Sequence, residues 1–254
     1  MPNFAIMRMQ KIKSTTQASA RLKHARREIA CRTVKDPTAT NVRITIGEKM
    51  KEYSSKSFRE IFREKTAGLN VRKNAVHAVE LVLTFSPGAI DPNNREDLKA
   101  WAQANMTWVA QTFGGVQNVI DAQLHMDETT PHIHAMVVPI DERGKLNARA
   151  FLGGTSHRMS ELQTDYAAAM ERFGLERGIS REITGAKHQA HQRWIAEQAE
   201  KEATLHAYEK FFSKELEKDL DLNIDFSKEV CEALNAASDV PEVPPLDIFL
   251  DDLH

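Results

Sequence analysis

The chain has 254 residues, which is enough for one domain with a full hydrophobic core and an appendage. Its 41% hydrophobic and 28% charged residues are typical of a soluble globular protein. No apolar run approaches the ~20 residues that span a bilayer, and the N-terminus lacks the apolar stretch of a secretory signal. The two cysteines, Cys31 and Cys231, are far apart in sequence, which argues against a disulfide framework and a cysteine zinc site. We therefore expect a cytoplasmic protein.

The net charge of −2 conceals a strong asymmetry along the chain. Residues 1–193 carry 29 basic and 20 acidic residues, whereas residues 194–254 carry 5 and 16. Within the first part, residues 1–73 alone have a net charge of +12. Basic residues on helices are often ordinary solvated faces. An excess of this size nevertheless favours a polyanionic ligand, most simply nucleic acid.

The pattern of apolar residues predicts alternating strands and helices. In chain order we expect a strand over 4–12, a very basic helix from Ser14, Thr15 or Thr16 to about Thr33, a helix around 56–65 and a strand over 75–85. There follow a helix that begins near Asp91 or Asn93 and stops at Gly114, a strand over 116–124, a strand over 132–138 and an amphipathic helix over 156–173. The late strands form a hairpin, so the fold class is α+β, with helices packed on a mainly antiparallel sheet.

A domain boundary is predicted near residue 190. Residues 1–190 would form the main domain, residues 191–238 an acidic helical extension, and residues 239–254 an acidic, proline-containing, flexible tail. The extension could mediate homodimerisation. The tail could instead bind a coupling or accessory protein, since Ile248, Phe249 and Leu250 form an apolar cluster among acidic residues.

Three histidines lie within ten residues, in the run from His125 to His134. His132 and His134 are two apart, so on a strand both side chains point to the same face. The connection over 126–131 lets His125 fold back toward them. Isolated histidines are usually packed or surface residues, but three converging imidazoles are able to hold a divalent metal ion.

A metal ion beside a basic surface could act as a Lewis acid on a phosphodiester, and that reaction needs a nucleophile. Water would make the protein a nuclease, whereas a side chain would form a covalent nucleotide–protein link. The candidate side chains are His24, which is flanked by basic residues, and three tyrosines, Tyr53, Tyr166 and Tyr208. The neighbouring cations attract phosphate and favour the neutral imidazole of His24.

The run His125-Met-Asp-Glu-Thr-Thr-Pro-His132-Ile-His134 resembles the HxDExTPHxH signature of the MobV-type (Mob/Pre) plasmid mobilisation relaxases. Two further segments resemble that family's other motifs, namely Met7 to Lys13 with the following Leu22-Lys23-His24, and Val71 to Val76 leading into Glu80. The three motifs span about residues 4–140 in the expected order. The resemblance implies a relaxase of the HUH endonuclease type.

In such an enzyme His125, His132 and His134 would hold Mn²⁺ or Mg²⁺. His24 would attack a phosphodiester at the nick site of a plasmid transfer origin, in single-stranded or supercoiled DNA, leaving a 5′-phosphoryl group on the imidazole. Later rejoining would serve conjugative mobilisation. Glu128 would orient or deprotonate His24, with Glu80 and Asp127 in supporting roles. Residues expected to contact DNA are Arg8, Lys11, Arg21, Lys23, Arg26, Arg72 and Lys73.

Other functions remain open on the sequence alone. A rolling-circle replication initiator or a plasmid recombination protein on the same fold would use a tyrosine, and an adduct on Tyr53 would favour it. A protein of another class would bind DNA without catalysis and keep the histidine cluster as a structural metal site.

Overall fold

The computed structural model describes residues 3–31, 33–154 and 157–179. The predicted helical extension, the acidic tail and Tyr208 lie outside these residues. Within the described part, no helix is both long and apolar enough to cross a membrane.

A six-stranded sheet forms the centre of the fold, in the order β2-β4-β5-β3-β1-β6. Every neighbouring pair is antiparallel except β1 and β6, which are parallel. This confirms the predicted α+β class with a mainly antiparallel sheet. The strands are β1 (Phe4–Ile12), β2 (Val42–Arg43), β3 (Ala78–Phe85), β4 (Val119–His125), β5 (His132–Val137) and β6 (Glu176–Arg177).

Helix starts follow from local capping residues. Ser14 Oγ accepts the backbone N–H of Gln17 at the start of α1, and Ser57 and Glu60 form a capping box at the start of α3. The fourth helix begins after Asn94, later than predicted, because Asp91 instead accepts a bond from the backbone of Asn93 in a local turn. The helices are α1 (Thr15–Ala25), α2 (Glu48–Glu52), α3 (Phe58–Lys65), α4 (Arg95–Thr112), α5 (Arg149–Leu152) and α6 (Arg158–Met170).

Helix α1 ends at Ala25, whereas the sequence predicted that it would continue to about Thr33. Arg27 follows with φ of 56°, in the left-handed region. That conformation costs about 1–2 kcal/mol for a residue with a Cβ atom. Contacts of the Arg27 side chain, described below, offset this cost and terminate the helix.

One face of the sheet packs on α4 and α6 and forms the larger core. Alternate residues of the strands point to this face, because successive side chains of a strand lie on opposite sides. Tyr166 of α6 is fully buried there, and its hydroxyl donates to Asn105 of α4 at 2.8 Å. The core includes Met7, Met9, Leu81, Leu83, Phe85, Trp101, Met106, Ile133, Ala135 and Val137.

The other face is partly covered by α1 and α3, through a smaller apolar cluster that includes Ile12, Leu22, Phe58 and Ile61. Polar side chains occupy the remainder of this face. Strand register places Arg8 opposite Val82, Val82 opposite His134, and His134 opposite Gln123. A register shift between Val119 and Asp121 interrupts β4, a form of irregularity that re-aims side chains near functional sites. We call this side the polar face.

Candidate active site

Three histidines meet where β4 ends and β5 begins. His125 and His132 are directly paired across the two strands, and His134 follows two residues later on the same face. One ligand nitrogen from each histidine lies within 4.8 Å of the other two. The structure therefore brings together the three residues that the sequence singled out as metal ligands.

Hydrogen bonds fix which nitrogen of each ring is free. His125 Nε2 donates to the carbonyl of Ala25 at 2.7 Å, and His132 Nδ1 donates to the carbonyl of Thr130 at 3.0 Å. These tautomers follow from the acceptors, since a carbonyl oxygen cannot donate. The remaining nitrogens, His125 Nδ1 and His132 Nε2, then face each other as acceptors at 3.3 Å. Two facing lone pairs repel, and a shared cation is the arrangement that satisfies both.

The third imidazole is oriented by a carboxylate. His134 Nδ1 lies 3.4 Å from Glu80 Oε1, so Nδ1 donates and Nε2 is left as the possible ligand. Glu80 is only 4% exposed, and its other oxygen lies 3.5 Å from the guanidinium of Arg21. A carboxylate behind a histidine is the usual support of a metal ligand, because it fixes the ring and raises its basicity.

Burial favours the uncharged form of two of the three imidazoles. Desolvation lowers the pKa of His125 from its usual 6.5 to about 3, and it lowers the pKa of His132 as well. Both rings are thus neutral near pH 7, which is the form that binds metal ions.

His24 lies in the last turn of α1, above the polar face. Its ring centroid is 5.5 Å from that of His134 and 6.5 Å from that of His125. Burial, His134 and Arg27 lower the pKa of His24, and the carboxylates of Glu80 and Glu128 only partly oppose them. The neutral, nucleophilic imidazole is therefore favoured, and burial contributes more than the flanking cations on which the sequence argument relied.

The acidic turn between β4 and β5 is held by Arg27. Its guanidinium donates to both carboxylate oxygens of Asp127, at 2.9 and 2.7 Å, and to Glu128 Oε1 at 2.6 Å. Burial raises the pKa of Asp127, but the bonds from Arg27 and Asn41 outweigh it and bring the pKa to about 2. Burial also raises the pKa of Glu128, but the bond from Arg27 and the nearby positive charges lower it by more, so the pKa lies below its usual value. Both carboxylates are ionised near neutral pH.

Glu128 is positioned differently from the expectation. Its carboxylate pairs with Arg27 and lies 3.9 Å from His132 Nε2. Its influence on His24 in this structure is electrostatic, since its negative charge raises the pKa of that ring.

Of the basic residues expected to contact DNA, some flank the cluster. Arg21 and Lys23 lie on α1, and Arg8 lies on the polar face. Arg72 and Lys73 are exposed in the loop before β3. Among the described residues, Arg8 Nε and Arg27 Nη1 are buried and have no hydrogen-bond partner.

Two of the expected DNA contacts are directed elsewhere. The Arg26 guanidinium donates to Asp121 at 3.1 Å and to the carbonyls of Tyr53 and Lys56 at 2.9 Å, and its side chain is 9% exposed. Lys11 pairs with Val79 and alternates with Arg8, which places it on the opposite side of the sheet from the histidines. Arg26 thus anchors the end of α1 to the fold, and Lys11 does not share the face of the histidine cluster.

Both tyrosines within the described residues are buried. Tyr166 is fully buried on the apolar face. Tyr53 is 3% exposed and belongs to the apolar cluster under α1 and α3.

Sequence reasoning missed the residues that connect His24 to the strands that carry the three histidines. Arg27, Asn41 and Arg43 were not among the residues that the sequence predicted at the site. Asp121 is buried and binds Arg43 as well as Arg26. The available signal was an acidic residue inside an apolar strand.

The first 196 residues match the Mob_Pre family of plasmid recombination enzymes. A 65 kDa protein of Zymomonas mobilis is 37% identical over 195 residues, which cover 76% of this chain and 32% of that protein. A plasmid recombination enzyme type 3 of Staphylococcus aureus is 27% identical over 194 residues, covering 74% and 46% of the two chains. The chain thus spans less than half the length of either relative.

Solved structures of the MobM relaxase domain share the fold. One is the Mn-bound domain in complex with a 22-nucleotide oriT DNA of plasmid pMV158, with a TM-score of 0.63 and 25% identity. The match covers 76% of this chain and 98% of that domain. A second complex, with a 26-nucleotide oriT DNA, gives a TM-score of 0.56. With the family match, the relaxase fold and the histidine cluster together, the chain belongs to the Mob_Pre plasmid recombination enzyme family.

Proposed function

We propose that this chain is the nicking domain of a metal-dependent DNA relaxase for plasmid mobilisation. Residues 1–190 would carry the activity, and the substrate would be one strand of a plasmid transfer origin. The observation that carries the proposal is the position of His24, whose ring lies 5.5 Å from His134 at the edge of the three-histidine cluster.

The three histidines fit a divalent ion because their free nitrogens converge and because Ala25, Thr130 and Glu80 fix the tautomers. Mn²⁺ is the ion named for the MobM domain, and Mg²⁺ is an alternative of similar charge. When bound, the ion would supply Lewis-acid polarisation of a phosphate oxygen. Buried donors of Arg8 and Arg27 would contact phosphate oxygens as well.

His24 would act as the nucleophile. Its neutral imidazole nitrogen attacks phosphorus, the bond from phosphorus to the 3′ oxygen breaks, and that oxygen leaves and takes up a proton. The product is a 5′-phosphoryl group on His24 and a free 3′-OH. Glu128 would steady the positive charge that develops on the ring, since its carboxylate already raises the pKa of His24.

A phosphorus–nitrogen bond also accounts for rejoining. The phosphoramidate keeps much of the free energy of the cleaved phosphodiester, and protonation makes imidazole a good leaving group. Attack by the 3′-OH would therefore reseal the strand without ATP, which suits transfer of a plasmid strand.

The alternatives have weaker support. A tyrosine nucleophile is disfavoured because Tyr53 and Tyr166 are both buried and so are closed to a DNA strand. A purely structural metal site would not need His24 beside it.

The proposal can be tested by incubating the full chain with a supercoiled plasmid. That plasmid should carry the transfer origin of the genetic element that encodes the chain. With Mn²⁺ we expect nicked plasmid with protein on the 5′ end, and no product with EDTA. His24→Ala should lower the rate at least ~10³-fold, as expected for a lost nucleophile. His157→Ala, which removes an exposed histidine at the start of α6, is the matched control and should nick normally. Nicking by His24→Ala at the parent rate would refute the proposed role of His24.

A further inference from the structure

Segment 33–41 is bonded along the turn between β4 and β5. The backbone N–H groups of Lys35 and Asp36 donate to the carbonyl of Asp127 at 2.8 and 3.1 Å. Asn41 Oδ1 accepts the backbone N–H of Met126 at 2.7 Å. The Thr33 side chain also contributes to lowering the pKa of Glu128. We call residues 33–41 the strap, because it joins the segment after α1 to the turn that separates the metal histidines.

Asn41 makes the side-chain connection between the strap and Asp127. Its Nδ2 donates to Asp127 Oδ2 at 2.7 Å, and the same oxygen accepts Arg27 Nε at 2.9 Å. Asp127 Oδ1 takes the second bond from Arg27 at 2.7 Å. Both ends of the Asn41 amide are therefore engaged, one on the backbone of the turn and one on its buried carboxylate.

The chain of contacts continues to the nucleophile. Arg27 adopts the left-handed conformation directly after α1, and its backbone N–H donates to the carbonyl of His24 at 3.0 Å. A bidentate pair fixes the orientation of a guanidinium as well as its distance. The Arg27–Asp127 pair therefore helps to fix the last turn of α1 and the His24 ring, together with the Arg26 and Ala25 contacts described above.

We propose that Asn41 is a positioning residue that acts through Asp127 and Arg27 to hold His24 beside the metal-binding histidines. The inference rests on the proposed function, because it concerns the rate at which His24 reacts. Asn41 does not touch the histidine cluster through any side-chain bond in the described part of the chain, so its effect is separable from metal binding.

Asn41→Asp is the sharpest change, because the new carboxylate keeps the acceptor for Met126 but places a negative charge against Asp127. Displacement of a reacting group by about 1 Å lowers rates by roughly 10²-fold. We expect kcat for nicking of a single-stranded transfer-origin oligonucleotide to fall at least ~10-fold, while KM and the Mn²⁺ dissociation constant stay within ~3-fold. Asn147→Asp is the matched control, since Asn147 Nδ2 donates to Asp141 at 2.9 Å in the turn after β5. It should leave kcat unchanged.

Asp127→Asn replaces one acceptor of the bidentate Arg27 pair with an NH2 group, so it should lower kcat by itself. Because Asn41 acts through Asp127, the double variant Asn41→Asp/Asp127→Asn should lose no more than ~3-fold further kcat relative to Asp127→Asn alone, a non-additive result that pairs in direct contact show. Asn41→Ser, which removes the amide without adding charge, replaces Asn41→Asp if the latter does not fold.

Several outcomes would overturn the inference while the parent protein nicks normally. They are an unchanged kcat in Asn41→Asp, an equal loss of Mn²⁺ affinity, fully additive losses of kcat in the double variant, or failure of both Asn41→Asp and Asn41→Ser to fold. Absence of nicking by the parent protein with any metal ion would refute the proposed function, and the role of Asn41 in nicking with it.

Discussion

The two faces of one sheet perform different tasks with side chains that alternate along the same strands. On β3, Leu81 points into the core beneath α4 and α6, and its neighbour Glu80 points the other way, toward His134 and Arg21. The apolar face supplies stability through burial, whereas the polar face keeps buried charges in fixed hydrogen bonds. Substitutions at neighbouring positions of one strand should therefore affect different properties of the protein.

The largest effect on stability is expected from Leu81→Ala. Removal of a fully buried leucine side chain should lower the free energy of unfolding by about 2–5 kcal/mol, through lost burial and the cavity that remains. Urea unfolding would measure this. Below the transition the folded protein should bind Mn²⁺ as the parent does, and a Mn²⁺ affinity that falls with stability would show that the faces are not independent.

Acid should destabilise the polar face next most strongly. The pKa of His125 is about 3 in the folded protein against 6.5 for an ordinary histidine, so between these values the unfolded chain binds more protons. The free energy of unfolding of metal-free protein should therefore fall, by a few kcal/mol, as the pH is lowered from about 6.5 toward 3. Unfolding series in EDTA at about pH 7.5 and about pH 5 test this. His125→Asn should flatten the dependence, and an equally steep profile in that variant would assign it to other groups.

Glu80→Gln should act on metal affinity. The amide still reaches His134 but loses the negative charge that supports the ring and pairs with Arg21. Loss of such a partner usually weakens metal binding by about 10–100-fold. Isothermal titration calorimetry with Mn²⁺ would measure the change in metal affinity, with Leu81→Ala as the neighbouring control. An Mn²⁺ affinity in Glu80→Gln equal to that of the parent would show that Glu80 does not support the metal ligands.

The smallest effect is expected from Tyr166→Phe on the apolar face. Loss of the bond to Asn105 leaves a buried amide oxygen without its donor and should lower the free energy of unfolding by about 1 kcal/mol. The nicking rate should not change, because the phenol lies across the sheet from His24. A large loss of nicking with normal stability would instead favour a tyrosine nucleophile.

Patterns of short range predicted much of the fold. Alternation in residues 4–12 and the Ser14 cap placed β1 and the start of α1, and the spacing of His132 and His134 placed them on one face. These features depend on neighbours in sequence, so the residues themselves carry the signal.

Contacts between distant segments were not predictable in the same way. The early end of α1 depends on Arg27 reaching Asp127, 100 positions later, and that contact offsets a left-handed backbone. Arg26 looked like a DNA contact because its charge is visible in the sequence, whereas its partner Asp121 becomes apparent only in the fold. Asn41 was not predicted for the same reason, because both of its side-chain hydrogen bonds are made to the distant β4–β5 turn.

In the proposed nicking reaction, an imidazole on the polar face becomes covalently linked to DNA. The direct measurement is mass spectrometry of peptides from the full chain after reaction with its own transfer-origin oligonucleotide and Mn²⁺. The account predicts a nucleotide on the peptide that contains His24, linked by a bond that acid cleaves. A nucleotide on the peptide containing Tyr53, Tyr166 or Tyr208 would contradict it.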